Sequence, residues 1–194
     1  MKKLVSILST ALIAATVFSG AAVFASDSDF GSAGALADDS YTLEEMLTYA
    51  IQDEYMAKAE YEAILDTYGS VRPFSNIVRS EETHISLLLP LFETYGLTVP
   101  ENTAAENVVL PDTLAETYPI GVEAEINNIG MYESFLKEDL PADVEFVFTR
   151  LMDASENHLA AFQNAEDRQM GTGTFGNGTS SGFGRQNTGN RFGR

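Results

Sequence analysis

Five acidic and imidazole side chains occupy positions where an amphipathic helix should present apolar residues to a core. They are Glu54, Glu81, His84, Glu125 and His158. Burying such a group without a partner is costly, so polar groups at a similar depth in four helices need one another or a shared cation. Carboxylate together with imidazole suits iron, manganese or zinc. The pattern predicts a metal centre inside a helical core.

The spacing of these residues supports a shared site. Glu81 and His84 lie three residues apart, so both project from one helix face and can reach the same ion. Glu54 and Glu125 are single carboxylates that could bridge or cap it. Di-iron and di-manganese bundles use one Glu from each of two helices and Glu-x-x-His from each of the other two. Because Ser155 replaces the second such Glu, the sequence predicts one firmly held metal ion, or two with an open position beside Ser155.

The two halves of the domain repeat one spacing. Tyr61 follows Glu54 by seven residues, and Tyr132 follows Glu125 by seven. We interpret the halves as approximate copies related by a pseudo-two-fold axis, which predicts that a site at their interface receives matching ligands from each half. We expect Tyr61 and Tyr132 to be ordinary core aromatics; the alternative is that they lie next to the metal with Ser155, as hydrogen-bonding or redox neighbours. A further alternative is that the buried acids and imidazoles form a hydrogen-bond network without metal.

Four amphipathic patterns supply the helices that would position these residues. The first begins at Thr42, where Glu45 completes a capping-box signature, and ends at Gly69. The second follows Pro73 and ends at Gly96. Both boundaries are therefore defined by local sequence signals.

The other two helices have less regular boundaries. The third has an uncertain start, because Pro119 and Gly121 interrupt its entry, whereas the fourth follows Pro141, which suits a first helical turn. A connection over 97–113 is long enough to cross one end of a bundle. No stretch alternates with period two over the length of a strand. The sequence predicts an all-α protein with an antiparallel four-helix bundle over 41–169.

Both ends of the chain differ in composition from this domain. Residues 1–25 have the basic start, apolar run and small final residues of a secretory signal peptide, with an uncleaved membrane anchor as the alternative. Residues 26–40 are small and polar, which predicts a flexible linker. Residues 170–194 are rich in Gly and Asn and contain three arginines, which predicts a disordered tail that could attach to the cell envelope. We therefore expect an exported protein, secreted or held at the envelope.

The overall charge restricts the possible partners. The 194 residues include 29 acidic and 11 basic side chains, and removal of the signal with its two lysines would leave a net charge of −20. Such a polyanion is unsuited to nucleic acid and attracts cations. The chain has no cysteine, which excludes disulfides, iron–sulfur clusters, Cys-ligated zinc and lipoprotein anchoring.

The chain resembles a ferritin-like four-helix family of unknown function from bacteria and archaea. The similarity extends over roughly 40–165 and is closest in the segments 74–100, 121–126 and 154–162. The Ser-x-x-His form of the fourth helix is normal for that family. The resemblance implies a ferritin-like fold, and it places the five predicted ligands on the family's candidate metal positions. This chain departs from the family in a short stretch before Gly121 and in Asn128, where an acid is common.

Two functions are compatible with these observations. The first is an exported metal-binding protein that holds one or two ions, with iron preferred over manganese or zinc. Its reaction would be redox chemistry with dioxygen or peroxide, such as oxidation of ferrous ion. Without cysteine there is no rubredoxin-like site, so electrons would come from outside or from the ferrous substrate. The second is a non-enzymatic, surface-associated bundle with a structural metal or none.

Overall fold

The structure is a computed structural model that describes residues 30–169 and 171. The described part contains six α-helices and no strand, which confirms the all-α class. The helices are α1 (Gly31–Ala37), α2 (Leu43–Tyr68), α3 (Phe74–Tyr95), α4 (Ala104–Asn107), α5 (Leu114–Phe135) and α6 (Ala142–Gln169). None of these helices is long and apolar enough to cross a membrane. The predicted signal peptide and all of the predicted tail except Gly171 lie outside the described residues.

The predicted boundaries of α2 and α3 are confirmed. The Glu45 carboxylate accepts a hydrogen bond from the Thr42 backbone N–H at 2.7 Å, and Thr42 Oγ1 accepts from the Glu45 N–H at 3.2 Å. Helix α2 ends at Gly69 and α3 at Gly96, with φ angles of 79° and 67°. Glycine adopts positive φ without steric cost, so it ends both helices cleanly.

The start of α5, which the sequence left uncertain, lies at Leu114. The Glu116 carboxylate accepts hydrogen bonds from the Thr113 backbone N–H at 3.0 Å and from its hydroxyl at 2.7 Å, which fixes the start before Leu114. The helix then continues through Pro119. Gly121 is explained by packing, because a Cβ there would lie 2.8 Å from the ring of Phe162 on α6. The glycine therefore permits close approach of two helices rather than interrupting one.

Two apolar clusters fill the space between the four long helices. One joins the N-terminal halves of α2 and α6 to the C-terminal halves of α3 and α5, and the other joins the opposite halves. The first includes Leu47, Ile51, Leu88, Phe92, Met131, Phe135, Phe148 and Leu151. The second includes Ile64, Phe74, Ile77, Tyr118 and Phe162. Full burial of each such side chain contributes about 1.5–3 kcal/mol. The distribution of halves shows that long helices in contact with each other run antiparallel.

The connection between α3 and α5 runs along the length of the four long helices. Leu97 packs against the first apolar cluster, whereas Leu110 and Leu114 pack against the second. Along this path α4 contacts α2, and the Tyr68 hydroxyl donates to the Pro111 carbonyl at 3.2 Å. The expectation that this segment crosses one end was therefore wrong. Because the chain returns to the end where α3 began, α3 and α5 point in the same direction.

The prediction of a flexible linker over 26–40 is contradicted at residues 31–37. These residues form α1, which packs against α2 and α5 and places Ala35 in the first apolar cluster. The Ser32 backbone N–H donates to Asp53 Oδ1 at 2.8 Å. The small residues that suggested a linker are what permits this contact, since a Cβ on Gly31 would lie 2.9 Å from the same carboxylate oxygen.

Candidate metal centre

A layer of buried polar side chains lies between the two apolar clusters. Every long helix contributes to it, and the five predicted ligands are between 2 % and 8 % exposed. They are Glu54 on α2, Glu81 and His84 on α3, Glu125 on α5, and His158 on α6. The structure therefore brings together all of the side chains that the sequence selected.

The potential ligand atoms form two groups that share one residue. Atoms of Glu54, Glu81 and His84 lie within 4.8 Å of one another, and so do atoms of Glu81, Glu125 and His158. Each buried group could hold a metal ion. The sequence suggested that Glu54 or Glu125 could bridge the site, whereas the residue common to both groups is Glu81.

The first group is internally paired. His84 Nδ1 lies 2.9 Å from Glu54 Oε2 and 2.8 Å from Glu81 Oε2, and His84 Nε2 lies 3.1 Å from Ser80 Oγ. Burial lowers the pKa of His84, but the hydrogen bonds and charges of the two carboxylates outweigh burial and raise it to about 10. Burial and the charge of Glu54 raise the pKa of Glu81 well above its usual value, so without a metal ion the His84 imidazolium balances the single charge of Glu54. A metal ion that uses Nδ1 must displace this proton.

The second group is not paired in this way. His158 Nδ1 lies 3.3 Å from Glu81 Oε1 and 3.5 Å from Glu125 Oε1, and it has no hydrogen-bond partner among the described residues. A buried nitrogen without a partner costs about 1–3 kcal/mol. A cation between these three side chains would use the nitrogen lone pair and remove that cost. The donor set therefore fits a metal ion.

Two tyrosines join the halves of the layer reciprocally. The Tyr132 hydroxyl on α5 donates to Glu54 Oε1 on α2 at 2.9 Å, and the Tyr61 hydroxyl on α2 donates to Glu125 Oε1 on α5 at 3.1 Å. Burial raises the pKa of both tyrosines well above the usual value, so both remain protonated donors. Their rings also belong to the apolar clusters, so they are core aromatics and neighbours of the predicted ligands at once.

A neutral pair lies where a complete ligand set would have a second Glu-x-x-His. Ser155 donates from Oγ to Asn128 Oδ1 at 2.8 Å, and Asn128 Nδ2 donates in turn to Asp53 Oδ2. Asn128 is therefore a buried residue on the inner face of α5, 6 % exposed. The signal that could have located it is Ser155 itself, because a buried hydroxyl needs an acceptor.

Glu60 is another buried acid that the sequence analysis did not select. It is 7 % exposed, and burial, with a smaller contribution from the charge of Asp53, raises its pKa to about 8. Burial likewise raises the pKa of Asp53, to about 6, against the effect of its hydrogen bonds. Both lie on the flank of α2 rather than on the seam that defined the predicted core, which explains why the periodicity missed them.

Fold and site together define an all-helical protein whose buried glutamate and histidine groups could hold a metal ion. The chain belongs to the family described as "Uncharacterized protein domain (DUF2202)", whose profile matches residues 44–172. A similar relative is the uncharacterized protein MJ0754 of Methanocaldococcus jannaschii, which is 25 % identical over an alignment of 126 residues. The match covers 57 % of this chain and 68 % of that protein.

A solved structure resembles this fold. The crystal structure of the hypothetical protein MJ0754 from Methanococcus jannaschii superimposes with a TM-score of 0.59 at 21 % identity. The match covers 69 % of this chain and 85 % of the other. At this level of identity the likeness supports the helical fold.

Proposed function

We propose that this chain is an exported, ferritin-like metalloprotein that binds one or two iron ions and uses them in redox chemistry with dioxygen or peroxide. Oxidation of ferrous ion is the reaction that requires no further electron donor. The observation that carries the proposal is the pair of ligand groups that share Glu81, together with the buried His158 Nδ1, which receives no hydrogen bond from residues 30–169.

Charge supports two divalent ions and a further ligand. The two groups together contain three carboxylates, which balance less than the charge of two divalent cations. The remaining positive charge would attract water or an oxygen species. In this proposal the further ligand binds beside Ser155, whose uncharged hydroxyl does not complete the ligand set. Bound iron would supply the electron transfer to the oxidant.

The protein's own residues prepare this site. Glu54 and Glu125 each have one oxygen fixed by a tyrosine hydroxyl, which orients the carboxylate. Glu81 belongs to both ligand groups and could therefore hold either ion, and the apolar clusters on either side limit access of bulk water. Outside the site, the large negative charge of the chain would raise the local concentration of cations.

A second function follows from one specific observation. The His84 imidazolium pairs with Glu54, and burial raises the pKa of Glu81 so that this carboxyl stays protonated, which balances the charge of the group and lets the four helices close without metal. In that case the protein would be a non-enzymatic bundle at the cell surface, with a structural metal or none, attached through its basic tail. Zinc or manganese could then replace iron without consequence for function.

Elemental analysis of the mature chain, residues 26–194, produced with ample iron tests the proposal. We expect about one or two iron ions per chain. We also expect oxygen uptake on addition of ferrous ion, reduced in His84→Ala and in His158→Ala. Glu82→Ala, which changes an exposed acid next to Glu81, is the matched control and should behave as wild type. A protein that contains only zinc and consumes no oxygen would favour the second function.

A further inference from the structure

A chain of three hydrogen bonds leads from α1 to Ser155 on α6, three residues before the predicted ligand His158. The Ser32 backbone N–H donates to Asp53 Oδ1 at 2.8 Å. The other oxygen of Asp53 accepts from Asn128 Nδ2, and Asn128 Oδ1 accepts from Ser155 Oγ at 2.8 Å. We refer to Ser32, Asp53, Asn128 and Ser155 as the polar relay.

The direction of every bond in the polar relay is imposed by its first members. A backbone N–H can only donate, and both oxygens of a carboxylate accept. Asn128 must therefore turn its NH₂ group toward Asp53, which leaves its oxygen facing Ser155. Because that oxygen can only accept, the Ser155 hydroxyl must donate its single proton to Asn128.

This direction decides what Ser155 offers to the centre. Ser155 lies three residues before His158 on the same face of α6, just as Glu81 precedes His84 on α3. Its proton is directed toward Asn128, so only oxygen lone pairs remain for a molecule bound beside the metal. A lone pair attracts a ligand O–H and repels an anion that has no proton.

We propose that the polar relay makes the open position selective for a ligand that carries a proton, such as water or hydrogen peroxide, over a bare anion such as azide. This inference rests on the proposed function, because the ligand would bind to the metal. It assigns Asp53 and Asn128 as positioning residues that act through the hydroxyl of Ser155.

The substitution Asp53→Asn reverses the polar relay with almost no change of shape. The new side-chain oxygen can still accept from the Ser32 N–H, while the new NH₂ group donates to Asn128. Asn128 would then turn over and donate to Ser155, whose proton would point toward the centre. We expect azide to bind the cobalt(II)-loaded variant roughly tenfold more tightly than the cobalt(II)-loaded wild type, the value of one hydrogen bond to a charged group.

Titration with azide, followed by the optical spectrum of the cobalt(II)-loaded protein, measures this change. Loss of the Asp53 charge could by itself favour an anion, so the control is the double variant Asp53→Asn, Ser155→Ala. The gain should disappear there, because it requires the hydroxyl. Ser155→Ala alone keeps the charge and removes the lone pairs, so azide affinity should rise less than in Asp53→Asn.

The outcomes separate this inference from the proposed function. Wild type that binds no cobalt overturns both. Cobalt binding with equal azide affinity in wild type and Asp53→Asn overturns the polar relay alone. It is also overturned by a gain that persists in the double variant, which would reflect charge only, or by weaker azide binding in Ser155→Ala.

Discussion

The two halves of the molecule contribute to the polar layer in different ways. The half built from α2 and α3 places two glutamate carboxyl groups and a serine hydroxyl within 3.1 Å of the nitrogens of His84. The half built from α5 and α6 supplies the carboxylate of Glu125, a neutral Asn–Ser pair and a histidine nitrogen that has no hydrogen-bond partner in the described part of the chain. Equivalent positions in the two halves thus perform different tasks. Both nitrogens of His84 therefore have partners, the two glutamate carboxyl groups at one and the serine hydroxyl at the other, whereas His158 Nδ1 has no hydrogen-bond partner among the described residues and is available to a cation.

The largest expected effect is the loss of bound metal when the carboxylate of Glu81 is removed. Glu81 belongs to both ligand groups, so Glu81→Gln removes a ligand from each. We expect metal content to fall close to zero, measured by elemental analysis of the purified protein. Glu82→Gln, an exposed neighbour, is the control and should retain metal. Retention of one ion by Glu81→Gln would show that the halves do not share this residue.

The two histidines should contribute differently to the unfolding free energy of the metal-free protein. His84→Ala leaves the buried carboxylate of Glu54 without its positive partner, and loss of one member of a buried ion pair costs about 3–5 kcal/mol. His158→Ala removes a ring whose Nδ1 makes no hydrogen bond, so its cost should be smaller. Urea unfolding of the metal-free variants measures both. Equal losses would contradict the contrast between a paired and an unpaired histidine.

Glu60 should make stability depend on pH in a manner specific to the first half. When the two halves are aligned so that Glu125 corresponds to Glu54, the apolar Met131 corresponds to Glu60. Only the first half therefore has a buried acid at this position. Because burial raises the pKa of Glu60 from 4.5 to about 8, the folded state favours the protonated acid. The unfolding free energy of the metal-free protein should therefore fall as the pH rises from 4.5 to 8, by about 2–4 kcal/mol.

Glu60→Gln is the matched control for this dependence. The amide keeps the shape of the protonated acid and cannot ionise. We expect a flatter stability profile between pH 4.5 and 8 and a more stable protein than wild type at pH 8, measured by urea unfolding at each pH. An unchanged profile would assign the dependence to other groups.

The smallest effect on stability should come from Tyr61 and Tyr132, each of which donates a hydrogen bond to a glutamate of the other half. Tyr61→Phe and Tyr132→Phe each delete one buried hydrogen bond to a glutamate of the other half, so each should cost about 1–2 kcal/mol. The two costs should agree closely, because these contacts follow the pseudo-two-fold relation. Thermal unfolding of the metal-free variants tests this. A large inequality would show that the asymmetry of the halves extends to the tyrosines.

Sequence patterns located the four long helices and all five candidate ligands because both depend on local signals. Glu45 and Gly69 act on their own helix ends, and polar residues in an apolar seam are visible at helical spacing. The path of the 97–113 segment, the docking of α1 and the inward position of Asn128 were not predicted. They depend on contacts between segments that are distant in sequence, such as Gly121 on α5 against Phe162 on α6. Such contacts fix the rotation and position of each helix, and the sequence of one segment alone does not specify them.

The long connection that returns the chain to its starting end has a consequence for how such a site can be constructed. It allows one antiparallel hairpin to meet a second hairpin face to face, each already bearing its own share of the donors. Two copies of the α2–α3 hairpin joined in this way would present two glutamates and one histidine apiece, a set of six. The present chain has a serine in the sixth place, so its α2–α3 hairpin supplies three of these donors and its α5–α6 hairpin supplies two.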